Sequence, residues 1–163
     1  MRQFHDQPPN VEIALQYASR RAWTVLPMKL DFYTCAGVRI STRDPNIIKQ
    51  WEWDESLGVA MACGEPSRTD VLEIYDAEAF TAAGFDLDAL AASTLAARTP
   101  LGWLHLFFEF AGLSSRSYPW GEWSSTRRAV LLPPAAEGRW LNDLTPQPAP
   151  PVLIEFLLTH PSD

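Results

Sequence analysis

The stretch Val71-Leu72-Glu73-Ile74-Tyr75-Asp76 decides how this sequence is expected to fold. Its aliphatic and β-branched residues predict a buried strand that ends in acidic residues. Because side chains alternate along a strand, we expect Glu73 and Tyr75 on one face and Asp76 on the opposite face. What this strand end can bind therefore depends on these few residues.

Length and composition predict one globular domain with a real hydrophobic core. The chain has 163 residues, of which 47% are hydrophobic and 20% are charged, a balance that argues against wholesale disorder. Its net charge of −7 argues against binding nucleic acid through bulk charge, although residues 1–49 carry seven Lys or Arg against four Asp or Glu. The seven tryptophans favour core packing, and aromatic stacking surfaces remain the alternative.

The cysteines and histidines are scattered, which argues against a zinc site. Cys35 and Cys63 lack companions at metal-ligand spacing, so we expect buried thiols in a reduced, cytoplasmic setting without a signal peptide. No apolar run approaches the roughly 20 residues that span a bilayer, so no membrane association is expected.

Helices and strands are expected to alternate first and then to give way to a run of strands. The predicted order is α, β, α, β, β, α, several strands and a last helix, which is typical of the α+β class with a partly antiparallel sheet. Asn10 is expected to cap the first helix, and Asp44-Pro45 to start the second. Residues 28–42 and 112–125 are interpreted as loops.

The C-terminal part divides into a linker and a helix. Four prolines between residues 146 and 151 predict a Pro-rich linker, since proline cannot continue regular structure. The predicted organisation is a domain over residues 1–145, the linker over 146–151 and a helix over 152–163 that packs on the domain.

A second predicted strand, Leu104–Phe108, is apolar except for one histidine. In Leu104–Phe108, alternation places His105 and Phe107 on one face. The turn before it contains Arg98, Thr99 and Gly102, and its backbone N–H groups could hold a triphosphate. The alternative is an ordinary hairpin with a surface arginine and a structural histidine. Carboxylates near such a phosphate would bind Mg²⁺ or Mn²⁺.

Several motifs, in a consistent order and spacing, resemble the primase–polymerase domain of bacteria, phages and plasmids, within the archaeo-eukaryotic primase superfamily. The residues that carry the resemblance are Ala14-Leu15-x-Tyr17-Ala18, Trp23-x-Val25-Leu26-Pro27, Thr42-x-Asp44-Pro45-x-x-Ile48-x-x-Trp51, Gly58–Gly64, Thr94-Leu95, Arg98-Thr99-Pro100-x-Gly102-x-Leu104-His105-Leu106-x-Phe108 and Val130–Pro134. The resemblance implies a single primase–polymerase-like α+β domain around an RNA-recognition-like mixed sheet. It also implies primer or DNA synthesis from nucleoside triphosphates on a single-stranded template, with Mg²⁺ or Mn²⁺.

The resemblance also implies a set of site residues in this chain. Glu73 occupies the position of the first metal-binding acid, Tyr75 that of the second, and Glu122 falls near that of a third. His105 matches a histidine that contacts nucleotide phosphates, and Trp103 replaces a glycine of the preceding turn. The implied catalytic residues are Glu73, His105 and Glu122; the implied metal ligands are Glu73, Asp76 and Glu122; the implied nucleotide-binding residues are Arg98, Thr99, Gly102 and His105.

Three functions remain open from the sequence. The first is a primase or DNA polymerase, with activity reduced because a tyrosine is a poor Mg²⁺ ligand. The second is a catalytically degenerate module of the same fold that binds a nucleotide, single-stranded DNA or replication proteins. The third is an interaction protein that retains only the fold.

Overall fold

Nine strands and five α-helices make up residues 8–29 and 40–160, which the computed structural model describes. The helices are α1 Asn10–Arg20, α2 Pro45–Gln50, α3 Ala77–Ala82, α4 Leu87–Ser93 and α5 Pro151–Thr159. The strands are β1 Val25–Met28, β2 Gly58–Ala62, β3 Thr69–Ile74, β4 Leu95–Arg98, β5 Leu104–Glu109, β6 Arg116–Tyr118, β7 Gly121–Ser124, β8 Ala129–Leu131 and β9 Arg139–Trp140. The α+β class is therefore confirmed.

Some sequence expectations lie outside the described residues. These are most of the leader over residues 1–9, Cys35 with residues 30–39 of the loop predicted over 28–42, and residues 161–163. None of the described helices is long and apolar enough to cross a membrane.

The strands form two antiparallel sheets. One has the order β1-β2-β8 and the other the order β6-β7-β3-β5-β4-β9. Every ladder between the described strands is antiparallel, which corrects the expected mixed sheet. Two of the neighbouring pairs, β4–β5 and β6–β7, are hairpins whose short turns can join only antiparallel strands.

The segment 112–125 is not the loop that its serines and tryptophans suggest. It contains the hairpin of β6 and β7, and β7 pairs with β3 from Val71–Ser124 to Ile74–Gly121. Trp123 is fully buried, so hydrophobic burial and ladder hydrogen bonds outweigh the weak strand propensity of serine and glycine. This correction moves Glu122 from a loop onto a strand.

The six-stranded sheet is buried on both faces. Its front face, which carries Val71 and Phe107, packs against the three-stranded sheet and α1. Trp23 anchors this layer, because its ring stacks on Phe107 at 5.6 Å between centroids and its indole N–H donates to Thr69 Oγ1 at 3.0 Å. The buried area of these aromatic rings is a large part of the hydrophobic stabilisation.

The back face of the same sheet, which carries Leu72 and Phe108, packs against α3, α4 and α5. From α5, Leu153 and Leu157 are fully buried, so this helix covers the sheet. The proline-rich segment before it is tied to the sheet as well, since Gln147 bridges to Phe108 and accepts a hydrogen bond from the Glu109 N–H at 2.9 Å.

The helix starts follow capping rules, with one correction. Asp44 accepts a hydrogen bond from the Asn46 N–H at 2.8 Å and precedes a proline in the first turn of α2, as predicted. Asn10 was expected to be the N-cap of α1, but it is the first helical residue and Pro9 stands at the cap. The Pro9 carbonyl accepts from the Glu12 N–H at 2.9 Å, so the backbone satisfies the helix start without a side chain.

Gly121 allows β7 to approach β3 closely, and its replacement tests this contact. A Cβ built there would overlap the carbonyl oxygen of Glu73. We expect Gly121→Ala to lower the free energy of unfolding by about 2 kcal/mol or more, measured by urea unfolding, because β7 would have to move away. Gly84→Ala is the control: its Cβ meets open space at φ +102°, and backbone conformation alone should cost about 1 kcal/mol. Equal losses in the two variants would contradict this account of Gly121.

Candidate functional site

A row of residues crosses the front face of the six-stranded sheet and brings three predicted site residues together. Glu73 on β3 lies opposite Glu122 on β7 and opposite His105 on β5. The row continues from His105 to Ala97 on β4 and to Trp140 on β9. We call these five residues the cross-strand row. Directly opposed side chains in neighbouring strands are in contact, so residues far apart in sequence meet here.

The Glu73 carboxyl group is held on two sides. Its Oε1 lies 3.4 Å from His105 Nε2, and its Oε2 accepts a hydrogen bond from the Ser124 hydroxyl. Little of either partner reaches solvent: the side chains of His105 and Glu73 are 7% and 14% exposed. His105 Nε2 has no aligned hydrogen-bond partner within the described part of the chain. The carboxyl group is therefore packed into the sheet rather than presented to solvent.

Burial makes the neutral forms of both groups favourable. It raises the pKa of Glu73 to about 7, with the nearby charge of Glu122 adding to the rise and the Ser124 hydrogen bond and Arg128 opposing it. Burial lowers the pKa of His105 to about 4. Slightly below neutral pH both side chains are uncharged, so the short distance between them is not a salt bridge there. A ligand that binds only the ionised form of Glu73 therefore competes with protonation as the pH falls below about 7.

A partly exposed aromatic pair lies beside the row: Tyr75 follows the end of β3 and Trp103 precedes the start of β5. Tyr75 and Trp103 are each about one-third exposed, at 38% and 36%, and their ring centroids are 4.6 Å apart with the planes inclined by 47°. Burial and then the charges of Glu73 and Glu122 raise the pKa of Tyr75 above its ordinary value. The phenol is therefore neutral at physiological pH and is a poor ligand for Mg²⁺.

The predicted nucleotide-binding turn does not converge with His105. Arg98 pairs with Leu104 in the ladder, so alternation places it on the back face. Its guanidinium donates to the Gly102 carbonyl at 3.1 Å. The N–H groups of Thr99, Gly102 and Trp103 all donate within the turn, to the Trp103 carbonyl, the Thr99 carbonyl and Thr99 Oγ1. The donors expected to meet a triphosphate are thus satisfied internally.

Asp76, the third expected metal ligand, also lies apart from the row. Its carboxylate accepts a hydrogen bond from the Ala79 N–H at 2.9 Å and caps α3. Within residues 8–29 and 40–160, no group of three or more His, Cys, Asp or Glu is arranged to hold a metal ion. Tyr75 stands beside Glu73 where an acid is needed, and the Asp76 carboxylate caps a helix. Glu73, Tyr75 and Asp76 therefore do not fit a two-metal centre.

Ser124 is the site residue that the sequence interpretation missed. It lies two positions after Glu122 on β7, directly opposite Val71, and its side chain reaches the Glu73 carboxyl group. The alternation of Glu122 and Ser124 with buried Trp123 is the signal that could have identified it. The serines and tryptophans of residues 112–125 favoured a loop instead.

No protein-family model and no curated protein matches this chain. The resemblance to primase–polymerase domains therefore depends on the motifs in the sequence and on the positions that they occupy. The fold family, the activity and the metal requirement that it implies remain proposals.

The raised pKa of Glu73 predicts a stability that depends on pH. Since the pKa is higher in the folded state than in the unfolded chain, its contribution is fully present below about pH 4.5 and is lost as the pH rises through about 7. Glu73→Gln keeps a neutral hydrogen-bonding side chain, so we expect it to raise the free energy of unfolding at pH 8 relative to the wild type by up to about 3 kcal/mol. At pH 5 the two proteins should be close in stability.

Urea unfolding at both pH values measures this difference, and the matched control is Glu109→Gln. Glu109 ends β5 as an exposed side chain, so its replacement should change stability little at either pH. A Glu73→Gln variant that is destabilised equally at pH 5 and pH 8 would show that Glu73 is ionised in the folded protein.

Proposed function

We propose that this chain is a primase–polymerase-like domain that binds a nucleobase-bearing ligand, a nucleotide or a single strand of DNA, without catalysing two-metal nucleotidyl transfer. The observation that carries this proposal is the Tyr75–Trp103 pair, one-third exposed and next to the cross-strand row. Aromatic rings exposed on a sheet are stacking platforms for bases, and each stacked base contributes about 1–3 kcal/mol.

Transfer chemistry is disfavoured because the Glu73 carboxyl group is hydrogen-bonded within the sheet and a phenol stands where the resemblance implies a second acid. Two-metal transfer needs ionised acids that converge on the metals. Here the Glu73 side chain is only 14% exposed, accepts the Ser124 hydroxyl and has a pKa of about 7. The neutral phenol of Tyr75 stands beside it in the place where the resemblance implies an acid.

The second candidate function is templated synthesis of primers or DNA with Mg²⁺ or Mn²⁺. The observation that favours it is the convergence of Glu73, His105 and Glu122 on adjacent strands, since the resemblance assigns those three positions to one site. Replication proteins as partners follow from the same resemblance and are part of this candidate.

A primer-synthesis assay separates the two candidates. Purified protein is incubated with a single-stranded template, labelled nucleoside triphosphates and Mn²⁺, and we expect no extension product above background. Product that disappears in Glu73→Gln would contradict the proposed function and favour the polymerase. Glu109→Gln, prepared in the same way, is the control: it should give as much product as the wild type does.

Removing one ring of the aromatic pair should weaken base binding. We expect Trp103→Ala to lose affinity for a labelled oligothymidine and for a nucleoside triphosphate by about tenfold or more, because one stacking surface disappears. Fluorescence anisotropy measures the first ligand and calorimetry the second, both without metal, so the two ligand classes are distinguished.

Leu101→Ala is the matched control, since Leu101 lies on the same turn and is 72% exposed but offers no ring. Its affinities should equal those of the wild type. The proposal fails if the wild type binds neither ligand, or if Trp103→Ala binds as the wild type does.

Restoring an acid beside Glu73 should create metal affinity. Tyr75 follows the end of β3, and the charges of Glu73 and Glu122 act on its phenol, so Tyr75→Asp adds a carboxylate near both acids. We expect its Mn²⁺ affinity at pH 8 to exceed that of the wild type by about tenfold or more, measured by calorimetry. Tyr75→Asn removes the ring without adding charge and should not gain affinity. An equal gain in both variants would mean that loss of the ring, and not the missing acid, had limited metal binding.

A further inference from the structure

The two acids of the cross-strand row differ in what they can offer a ligand. Glu73 uses both carboxyl oxygens inside the sheet: one lies 3.4 Å from His105 Nε2, and the other accepts the Ser124 hydroxyl. Glu122 lies opposite Glu73 on β7 and is half-buried. Within residues 8–29 and 40–160, the one contact of salt-bridge length is that of Glu73 with His105. No described cation therefore neutralises the Glu122 carboxylate by direct contact.

Glu122 lies within reach of the exposed aromatic pair. The Tyr75 N–H donates to the carbonyl of Trp120, two residues before Glu122, at 2.9 Å. Tyr75 is thus a diagonal neighbour of Glu122 across the two chains, a spacing that long side chains bridge. Burial first, then the charges of Glu73 and Glu122 and a hydrogen bond with Glu122, raise the pKa of Tyr75. The phenol and the Glu122 carboxylate are therefore in contact at the edge of the pair.

A carboxylate at this edge discriminates between bases. It has two acceptor oxygens and no donor, so the Tyr75 hydroxyl leaves most of its lone pairs for other partners. Cytosine, adenine and guanine carry an exocyclic amino group, which donates, whereas uracil and thymine carry only carbonyl oxygens around the ring. A carboxylate accepts from the first group and repels the oxygens of the second.

We propose that the ligand of the Tyr75–Trp103 pair is a base with an exocyclic amino group, which donates a hydrogen bond to the Glu122 carboxylate. This rests on the proposed function, because it needs a base stacked on the pair. The two rings, 4.6 Å apart between centroids, offer a face to any base. Stacking thus supplies affinity, and Glu122 supplies the difference in affinity between bases.

One cation acts on the same region and would select the opposite bases. Burial raises the pKa of Glu73 and of Tyr75, and the charge of Arg128 opposes both rises. The Arg128 side chain is exposed, and a guanidinium group has only donors. If Arg128 contacted the base edge in place of Glu122, uracil and thymine would be preferred. The sign of the base preference therefore distinguishes the two side chains.

Two oligonucleotides that differ in this one group test the proposal. Oligodeoxycytidine and oligodeoxyuridine of equal length share their backbone and ring size, with an amino group in the first where the second has a carbonyl oxygen. Fluorescence anisotropy with labelled strands, at pH 8 and without metal, measures their affinity for the full chain. We expect the cytidine strand to bind about tenfold more tightly.

Glu122→Gln replaces the carboxylate with an amide of the same size, which both donates and accepts. We expect the ratio of the two affinities to fall from about tenfold to about one. Both strands are measured on the same sample, so partial unfolding of the variant would weaken both and leave the ratio unchanged. Glu109→Gln is the matched control: Glu109 is an exposed acid at the end of β5, and this variant should keep the wild-type ratio.

The proposal is overturned if the wild type binds the two strands equally, if it binds the uridine strand more tightly, or if Glu122→Gln keeps the preference. Equal binding of both strands that Trp103→Ala weakens would overturn this proposal and leave the proposed function standing. Binding of neither strand would overturn both.

Discussion

The burial of the Glu73 carboxyl group between Ser124 and His105 is the constraint on which the front face of the sheet depends. A carboxyl group in this place is tolerated because the Ser124 hydroxyl donates to it and burial raises its pKa to about 7, whereas an unpaired buried charge would be costly. The arrangement requires β7 to pair closely with β3, which Gly121 permits. The pairing of β3 with β5 and β7 therefore determines how far Glu73 is buried, and burial raises its pKa.

The cross-strand row connects two regions of different chemistry on the same face. At one end, Glu73 and Glu122 lie beside the exposed ring of Tyr75, where negative charge and an aromatic surface meet. At the other end, Trp140 packs against the core and donates its indole N–H to the Tyr17 hydroxyl. The row therefore runs from acids beside an exposed ring to an aromatic cluster in the core.

Much of this arrangement could be predicted from the sequence, and the exceptions have physical reasons. Alternation placed Glu73 with Tyr75 and His105 with Phe107, because a buried strand has a strict period of two. It could not place Glu122, whose strand is rich in serine and glycine and is stabilised by pairing with β3 rather than by its own propensity. Asp76 caps α3 by accepting from the Ala79 N–H, a use that follows only from where α3 begins. Arg98 and His105 are close in sequence, but Arg98 lies on the back face of the sheet and His105 on the front face.

The pKa of the Glu73 carboxyl group in the presence and absence of Mg²⁺ tests the central claim most directly. It can be followed by NMR of the side-chain carboxyl carbon during a pH titration of the full chain. The account predicts a midpoint near pH 7, since burial raises the pKa of Glu73 to about 7, and no displacement of that midpoint by millimolar Mg²⁺. A midpoint in the ordinary range for glutamate would contradict it. A midpoint that falls by about one unit or more when Mg²⁺ is added would also contradict it and would identify Glu73 as a metal ligand.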